Sequence, residues 1–173
     1  MSISTEYYGS VAEANEYFDM RLHEYAWTEA DVADRPRALW SATQIIDTLA
    51  YKGHKAPVAS LLESSPLATA EEIRTANASQ ALEFPRGDDT IVPEEIRRAC
   101  YEMAHALLDG KDPEQELENL GVISHGYSSA RTTFSRSHQP IEHLVNGVPS
   151  ALAWRLIRPF LRDDLAIRLS RVS

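Results

Sequence analysis

Cysteine is almost absent from this sequence, since Cys100 is the one thiol among 173 residues. A single cysteine cannot form an intramolecular disulfide, which fits a protein that folds in a reducing compartment. The sequence has no run of 18 uncharged apolar residues, so we expect no membrane-spanning helix. Residues 1–10 have neither a basic nor an apolar segment, so we expect no secretion signal. The 43% hydrophobic and 8% aromatic content is still enough for a packed core.

Motifs for phosphate binding, hydrolysis and metal binding are also missing. The seven glycines form neither GxGxxG nor GxxxxGK, and no GxSxG occurs. No cysteine pair accompanies the six histidines, and His138 and His143 are spaced too irregularly for two ligands on one helical face. We therefore expect no metal, no cofactor and no enzymatic activity.

Some residues could still be interpreted as catalytic. Cys100 lies within a predicted apolar stripe, so we interpret it as a core residue; a nucleophile would need an exposed, electropositive setting. Four carboxylates of the same predicted helix could form an acid/base or metal cluster: Glu94, Glu95, Glu102 and Asp109. We favour a simpler interpretation, in which the first two complement the helix dipole and the last two are solvated.

The two parts of the chain carry opposite net charges. Residues 1–120 have 23 acidic and 10 basic side chains, whereas residues 121–173 have 3 acidic and 7 basic ones, all of them arginine. The net charges are −13 and +4, and the whole chain has −9. An acidic body is a poor surface for duplex DNA, because phosphate neutralisation is the main source of such affinity. Arginine is favoured in interfaces, so the second part is typical of a segment bound by a partner.

Helical periodicity predicts a mainly α fold, in which residues 1–120 form a small helical bundle. Ser10 with Glu13 is a capping box that begins the first helix. The apolar face of this helix is expected to continue to Leu22 and Tyr25.

Two longer helices have clearer patterns. One is expected from Asp34 to Lys52, followed by Gly53, and the other over residues 93–109, with Pro93 in its first turn. Their predicted buried faces are Leu39, Ala42, Ile46 and Leu49 in the first, and Ile96, Ala99, Cys100, Met103 and Leu107 in the second.

Between these helices lies a stretch rich in proline and serine, residues 54–67, which we predict to be a loop. Thr69 and Glu72 form a second capping box, which predicts a short helix to about residue 78. Residues 84–89 have the composition of a turn, and residues 112–120 are predicted to form another short helix.

Residues 121–173 are predicted to form an extended assembly arm. Residues 122–139 bury little and are expected to be a loop or an exposed β-hairpin. Pro149 begins a short helix, and residues 165–172 alternate as in a strand. A lone strand is unstable, so it must pair with a sheet edge in its own chain or in another. The predicted apolar faces are Leu152, Leu156 and Phe160 in the helix, and Leu165, Ile167 and Leu169 in the strand.

A weaker pattern occurs in residues 127–136. Tyr127 and Phe134 flank Arg131, and Arg136 follows. Aromatic residues interleaved with arginine can bind single-stranded nucleic acid. The interpretation that we favour is an exposed loop that contacts a neighbouring subunit.

Several segments form an ordered set of moderately specific motifs: residues 40–47, 51–53, 80–86, 92–108, 148–154 and 159–161. The most telling part is Leu82 with Phe84, Pro85 and Arg86, followed by Pro93 and its helix. Together these segments resemble the head–tail connector, or adaptor, proteins of tailed bacteriophages. Members of that family often carry the label DnaT-like single-stranded DNA-binding protein.

This resemblance implies a helical protomer that assembles into a ring beneath the portal vertex. The ring would extend the DNA channel, let genomic duplex DNA pass without specific binding, and link the head to the next neck or tail protein. It implies about twelve copies in cyclic symmetry. The chain would be made in the cytoplasm of the bacterial host and reside in the virion neck. Single-stranded DNA binding is the alternative function.

The arm supplies the residues that we expect to contact the portal or a neighbouring copy. For Phe160 the alternative is packing within its own chain, and for Ile167 and Leu169 it is pairing within the same chain. The predicted contact residues are Arg155, Arg158, Phe160, Arg162, Leu165, Ile167, Arg168, Leu169 and Arg171.

Overall fold

Helices make up most of the part of the chain that the computed structural model describes, which is residues 6–119, 124–127, 130–133 and 142–162. The predicted mainly α bundle is confirmed. In chain order the helices are α1 (Val11–Asp19), α2 (Tyr25–Thr28), α3 (Asp34–Asp47), α4 (Ala56–Ser64), α5 (Ala70–Ala78), α6 (Glu94–Leu108), α7 (Pro113–Asn119), α8 (Glu142–Val145) and α9 (Ala151–Ile157). A 3-10 turn, Arg158–Phe160, follows α9.

Helix α6 lies at the centre of the fold, packed between α3 and α9. Its predicted face is buried at Ile96, Ala99, Cys100 and Met103, and Leu107 is partly buried against the same core. The predicted role of Cys100 as a core residue is also confirmed, because its side chain is fully buried. Burial raises the pKa of the Cys100 thiol to about 12.

Helix α3 supplies the facing surface of this core. Leu39, Ala42 and Ile46 are buried and Leu49 is partly buried, as the sequence predicts. The helix ends at Asp47, several residues before the predicted end.

The first helix ends earlier than the sequence predicts. Ser10 caps α1 as expected, but the helix stops at Asp19, and His23 adopts a left-handed φ of 62°. The turn that follows places Trp27 in the core, stacked on Phe18 at 5.0 Å. The prediction of one continuous apolar face was therefore wrong, and Leu22 and Tyr25 are exposed.

The prediction of a loop at residues 54–67 was also wrong, because α4 occupies most of it. Pro57 lies in the first turn of α4, where its fixed φ and missing N–H favour a helix start. Helix α4 packs against α5. The predicted capping box of α5 is present: Thr69 Oγ1 accepts from the Glu72 backbone, and the Glu72 carboxylate accepts from the Thr69 backbone N–H.

Residues 142–162 belong to the same core as residues 6–119. Val148, Ala153, Trp154 and Ile157 are buried in the core cluster, and α9 packs along α6. A boundary at residue 120 therefore does not separate a core from an arm. The predicted face of this helix was correct in part: Leu156 and Phe160 pack against the core, but Leu152 is exposed, and the buried residues are Ala153, Trp154 and Ile157.

Along the chain, a two-stranded antiparallel hairpin comes between these two parts of the core, in the stretch predicted to be a loop or an exposed β-hairpin. It joins β1 (Ser124–Tyr127) to β2 (Ala130–Thr133), with Tyr127 opposite Ala130. The predicted strand at residues 165–172 lies outside the described residues. Among the helices that are described, none is both long and apolar enough to cross a bilayer.

Candidate functional site

The last described residues are attached to the core by backbone pairing. The Lys52 N–H donates to the Phe160 carbonyl at 2.9 Å, and the Arg162 N–H donates to the Ala50 carbonyl at 2.9 Å. Tyr51 and Leu161 thereby form an antiparallel β-bridge. We call residues 50–52 and 158–162 together the C-terminal root. The root fixes where the chain continues into residues 163–173.

An aromatic cluster centred on Phe84 packs against the root. Phe84 is buried, and its ring meets the Phe160 ring edge-to-face, with 5.6 Å between the ring centres. The centre of the Phe84 ring also lies 4.7 Å from that of Tyr51 and 6.1 Å from that of Tyr8. Edge-to-face pairs add stability beyond the apolar area that they bury. Phe84 therefore connects the N-terminal region, the loop after α3 and the end of α9.

Arg86 holds the other side of the root. Its guanidinium donates to the Lys52 carbonyl at 3.1 Å and to the Gly53 carbonyl at 2.7 Å, and it lies 5.5 Å from the centre of the Tyr51 ring. It also forms an ion pair with Glu83. A planar fork that donates to two adjacent carbonyls fixes a loop more firmly than a lysine could. The segment of residues 80–86 thus shapes the loop on which Phe160 and Arg162 rest.

A buried polar pair completes this region. Tyr8 donates its hydroxyl hydrogen to Asp47, and its oxygen accepts from the Phe84 N–H at 3.2 Å. Burial raises the pKa of Tyr8, and burial likewise raises the pKa of Asp47. Lys55, also buried, pairs with Glu83 at 3.4 Å. These contacts join residues that are distant in the sequence, so they contribute to the rigidity of the root.

Four of the predicted contact residues lie in or beside the root. Arg155, Arg158 and Arg162 are exposed, and Phe160 is half-buried. Arg158 lies 3.7 Å from the Glu142 carboxylate, and Arg162 Nε donates to the Tyr51 carbonyl at 3.0 Å. The three arginines therefore keep surface available for a partner, whereas Phe160 packs within its own chain.

The other predicted contact residues lie either on the hairpin or outside the described residues. Tyr127 lies in β1 and Arg131 in β2, where Arg131 is paired with Gly126. The remaining predicted contacts lie outside the described residues: Phe134, Arg136, Leu165, Ile167, Arg168, Leu169 and Arg171.

The sequence missed a buried ion pair between α6 and the end of α1. Glu102 is 2% exposed, so the expectation that it is solvated was wrong. Arg21 binds it in a bidentate manner, with Nε 2.8 Å from Oε1 and Nη2 2.9 Å from Oε2. Tyr17 donates its hydroxyl hydrogen to Oε1 at 2.6 Å. Asp109, in contrast, is exposed as predicted.

His105 extends this network. Its Nε2 lies 3.3 Å from Arg21 Nη1, and its ring stacks on Phe18 at 5.5 Å. Burial, and then the positive charge of Arg21, lowers the pKa of His105. The network lines a pocket of about 360 Å³ that also contains Lys111. Because Arg21 and Glu102 satisfy each other, this arrangement is suited to holding α1 against α6.

Within the ranges that the structure describes, no group of three or more His, Cys, Asp or Glu side chains is placed to hold a metal ion.

No family model, no curated protein and no solved structure matches this chain.

Proposed function

We propose that this chain is a structural, non-enzymatic protein of the virion, a head–tail adaptor of a tailed bacteriophage. About twelve copies form a closed ring beneath the portal. The ring extends the DNA channel and links the head to the next protein of the neck or tail.

The observation that carries this proposal is the C-terminal root. A protein that joins two larger assemblies needs a rigid body and a segment that leaves it at a fixed point. The bridge between Tyr51 and Leu161, supported by Phe84 and Arg86, provides such a point. Beyond it Leu165, Ile167 and Leu169 alternate with Ala166, Arg168 and Ser170, and Arg171 follows. Arginine with alternating apolar residues fits a segment that pairs with another subunit.

The charge distribution fits a protein that surrounds DNA without binding it. The first 120 residues carry a net charge of −13. Acidic side chains that face a channel repel phosphate over a Debye length of about 8 Å at physiological salt. A duplex can then move through the ring without adhering to it.

Removing residues 163–173 tests the proposal. The deletion begins at 163 because Phe160, Leu161 and Arg162 contact the core. We expect the truncated chain to keep the helical circular dichroism of the full chain and to be lost from particles, as judged by mass spectrometry of purified virions.

A matched control exchanges Ala166 and Ser170 for each other and keeps the apolar residues of this segment. It should enter particles normally. Normal incorporation of the truncated chain would contradict the proposal.

A further inference from the structure

We propose that residues 19–34, the connection from the end of α1 to the start of α3, form the docking surface for residues 163–173 of a second copy of this chain. This inference rests on the proposed function, because it specifies how neighbouring copies in the ring are joined. We call residues 19–34 the acceptor connection.

Exposed apolar side chains are concentrated in the acceptor connection. Among the residues whose burial the structure describes, eight large hydrophobic side chains are exposed, and four of them lie within this short stretch. Their exposed fractions are 90% for Met20, 82% for Leu22, 69% for Tyr25 and 80% for Val32. Single exposed apolar residues are ordinary, but a concentration of this kind marks an interaction surface.

The fold itself does not use these four side chains. In this region the core takes Phe18 and Trp27, which stack on each other. The Trp27 indole N–H donates to Asn15, and Arg35 lies 5.8 Å from the centre of the Trp27 ring. The chain turns to insert Trp27, and the turn leaves its apolar neighbours on the outside.

The surroundings of these side chains are acidic. Asp19, Glu29 and Asp31 are exposed, and Glu24 and Asp34 are half-buried. The one basic residue within the acceptor connection, Arg21, is bound to Glu102. Asp34 is paired with Arg37 at 2.8 Å, so the net negative charge of the surface comes from the other four carboxylates. The surface therefore offers apolar contacts together with negative charge, and its partner should be apolar and basic.

Residues 165–173 have that composition. Leu165, Ile167 and Leu169 alternate along these nine residues, which contain Arg168 and Arg171, and the two acidic residues of the docking segment, Asp163 and Asp164, precede them next to the root. The apolar residues match the apolar surface, and the guanidinium groups match the carboxylates. The 11 residues from 163 to 173 can reach about 36 Å when extended.

The contact is assigned to a second copy because the proposed function requires contacts between copies. Ser150, at the start of α9, lines a pocket together with Tyr25 and Ala26 of the acceptor connection. The root, where residue 162 lies, is at the opposite end of α9, against Tyr51. Helix α9 has seven residues, so the segment is long enough to reach its own acceptor connection as well, and the test below separates the two arrangements. A contact repeated from copy to copy closes into a ring when the rotation between copies allows it.

A pair of engineered cysteines tests this proposal in the full chain. Leu22→Cys with Leu169→Cys places one thiol in the acceptor connection and one in the docking segment. The native Cys100 is fully buried and does not compete. The concentrated protein is oxidised mildly and examined by non-reducing electrophoresis and peptide mass spectrometry.

We expect covalent dimers and higher ladders joined through positions 22 and 169. A matched control carries Leu67→Cys, at another exposed leucine of the body, together with Leu169→Cys. Docking raises the local thiol concentration, so the ladder should exceed that of the control by about tenfold or more. An intrachain disulfide, no disulfide, or an equal ladder in the control would each overturn the proposal.

Charge reversal provides a second measurement. Glu29→Lys with Asp31→Lys, added to the cysteine pair, should reduce the ladder about tenfold, because the two carboxylates are replaced by cations facing arginine. Glu63→Lys with Glu71→Lys changes the net charge equally elsewhere on the body and should leave the ladder unchanged. Equal ladders in both variants would overturn the proposal.

Presence of the unmodified chain in purified virions is scored separately. If the chain is present but the 22–169 ladder fails, only the docking inference is lost. If the chain is absent from virions, the proposed function is lost.

Discussion

The ion pair between Arg21 and Glu102 decides how the end of α1 is held. Glu102 is buried, and the Arg21 side chain is 26% exposed. A buried carboxylate is tolerated only when its lone pairs are satisfied, and here Arg21 and Tyr17 satisfy them. Removing one partner leaves the other in a site with little access to water.

We expect Glu102→Gln to lower the free energy of unfolding by about 2–3 kcal/mol, since it leaves Arg21 without its counter-charge. Urea unfolding followed by circular dichroism measures the change. In the control, Glu94→Gln, an exposed pair with Arg98 at 3.9 Å is removed from the same helix. This variant should lose less than about 0.5 kcal/mol. Equal losses of unfolding free energy would show that the buried ion pair stabilises the fold no more than the exposed one does.

The pH dependence of stability provides a second prediction at this scale. The pKa of His105 is lowered from its ordinary value of 6.5 in the folded state, by burial first and by Arg21 second, while Glu102 and Asp109 oppose the shift. The unfolded chain therefore binds a proton more readily than the folded chain. Stability is full above about pH 6.5 and falls as the pH drops toward the lowered folded pKa.

His105→Gln removes this contribution. Between about pH 7.5 and pH 5.5 the variant should lose less stability than the wild type, as measured by urea unfolding at each pH. His54→Gln, at an exposed histidine, should keep the wild-type slope. A wild-type slope in the His105 variant would contradict the argument.

Individual residues also show where sequence patterns fail. Ser10 and Thr69 were predicted as caps, because a capping box is read within four residues. The prediction that Glu102 is solvated failed because its partner, Arg21, is 81 residues away in the sequence. The break after α1 brings Arg21 to Glu102. A local pattern has no information about such a partner.

At the scale of elements, the root shows how distant segments form one unit. Residues 50–52 come from the loop after α3, Phe84 and Arg86 from the segment before α6, and residues 158–162 from the end of α9. These segments are joined by backbone hydrogen bonds, an aromatic contact and the hydrogen bonds of the Arg86 guanidinium. We infer that removing one of these contacts weakens the attachment of all three segments.

Phe160→Ala tests this coupling. Loss of the half-buried ring against Phe84 should lower the free energy of unfolding by about 1–2 kcal/mol. It should also speed tryptic cleavage after Arg162, because the bridge of Leu161 to Tyr51 is weakened. Leu152→Ala, at an exposed position of α9, should change stability by less than about 0.5 kcal/mol and leave the cleavage rate unchanged. Unaltered cleavage in the Phe160 variant would contradict the coupling.

The elements that were best predicted from the sequence are the helices that bury the most apolar side chains. Helices α3 and α6 have apolar residues at helical spacing over three turns or more, and their buried faces were predicted correctly. Helix α4 was missed because residues 54–67 are rich in proline and serine, although Pro57 lies in a first turn, where proline is compatible with a helix. The face of α9 was predicted only in part, because a seven-residue helix offers too few positions to fix its rotation, which contact with α6 decides.

At the scale of the whole molecule, charge separates the two candidate functions. A single-stranded DNA-binding protein gains affinity by neutralising phosphates, whereas this chain has a net charge of −9. We expect a labelled single-stranded oligonucleotide to bind weakly even at low salt, as measured by fluorescence anisotropy. Tight binding with a steep salt dependence would favour the alternative function.

The most direct test of the account is electron microscopy of the purified chain mixed with the portal of the same phage. We predict a ring of about twelve copies on the tail-proximal face of the portal, with contacts made by residues 163–173. Portal particles that carry no added density, at concentrations where both proteins are folded, would contradict the account.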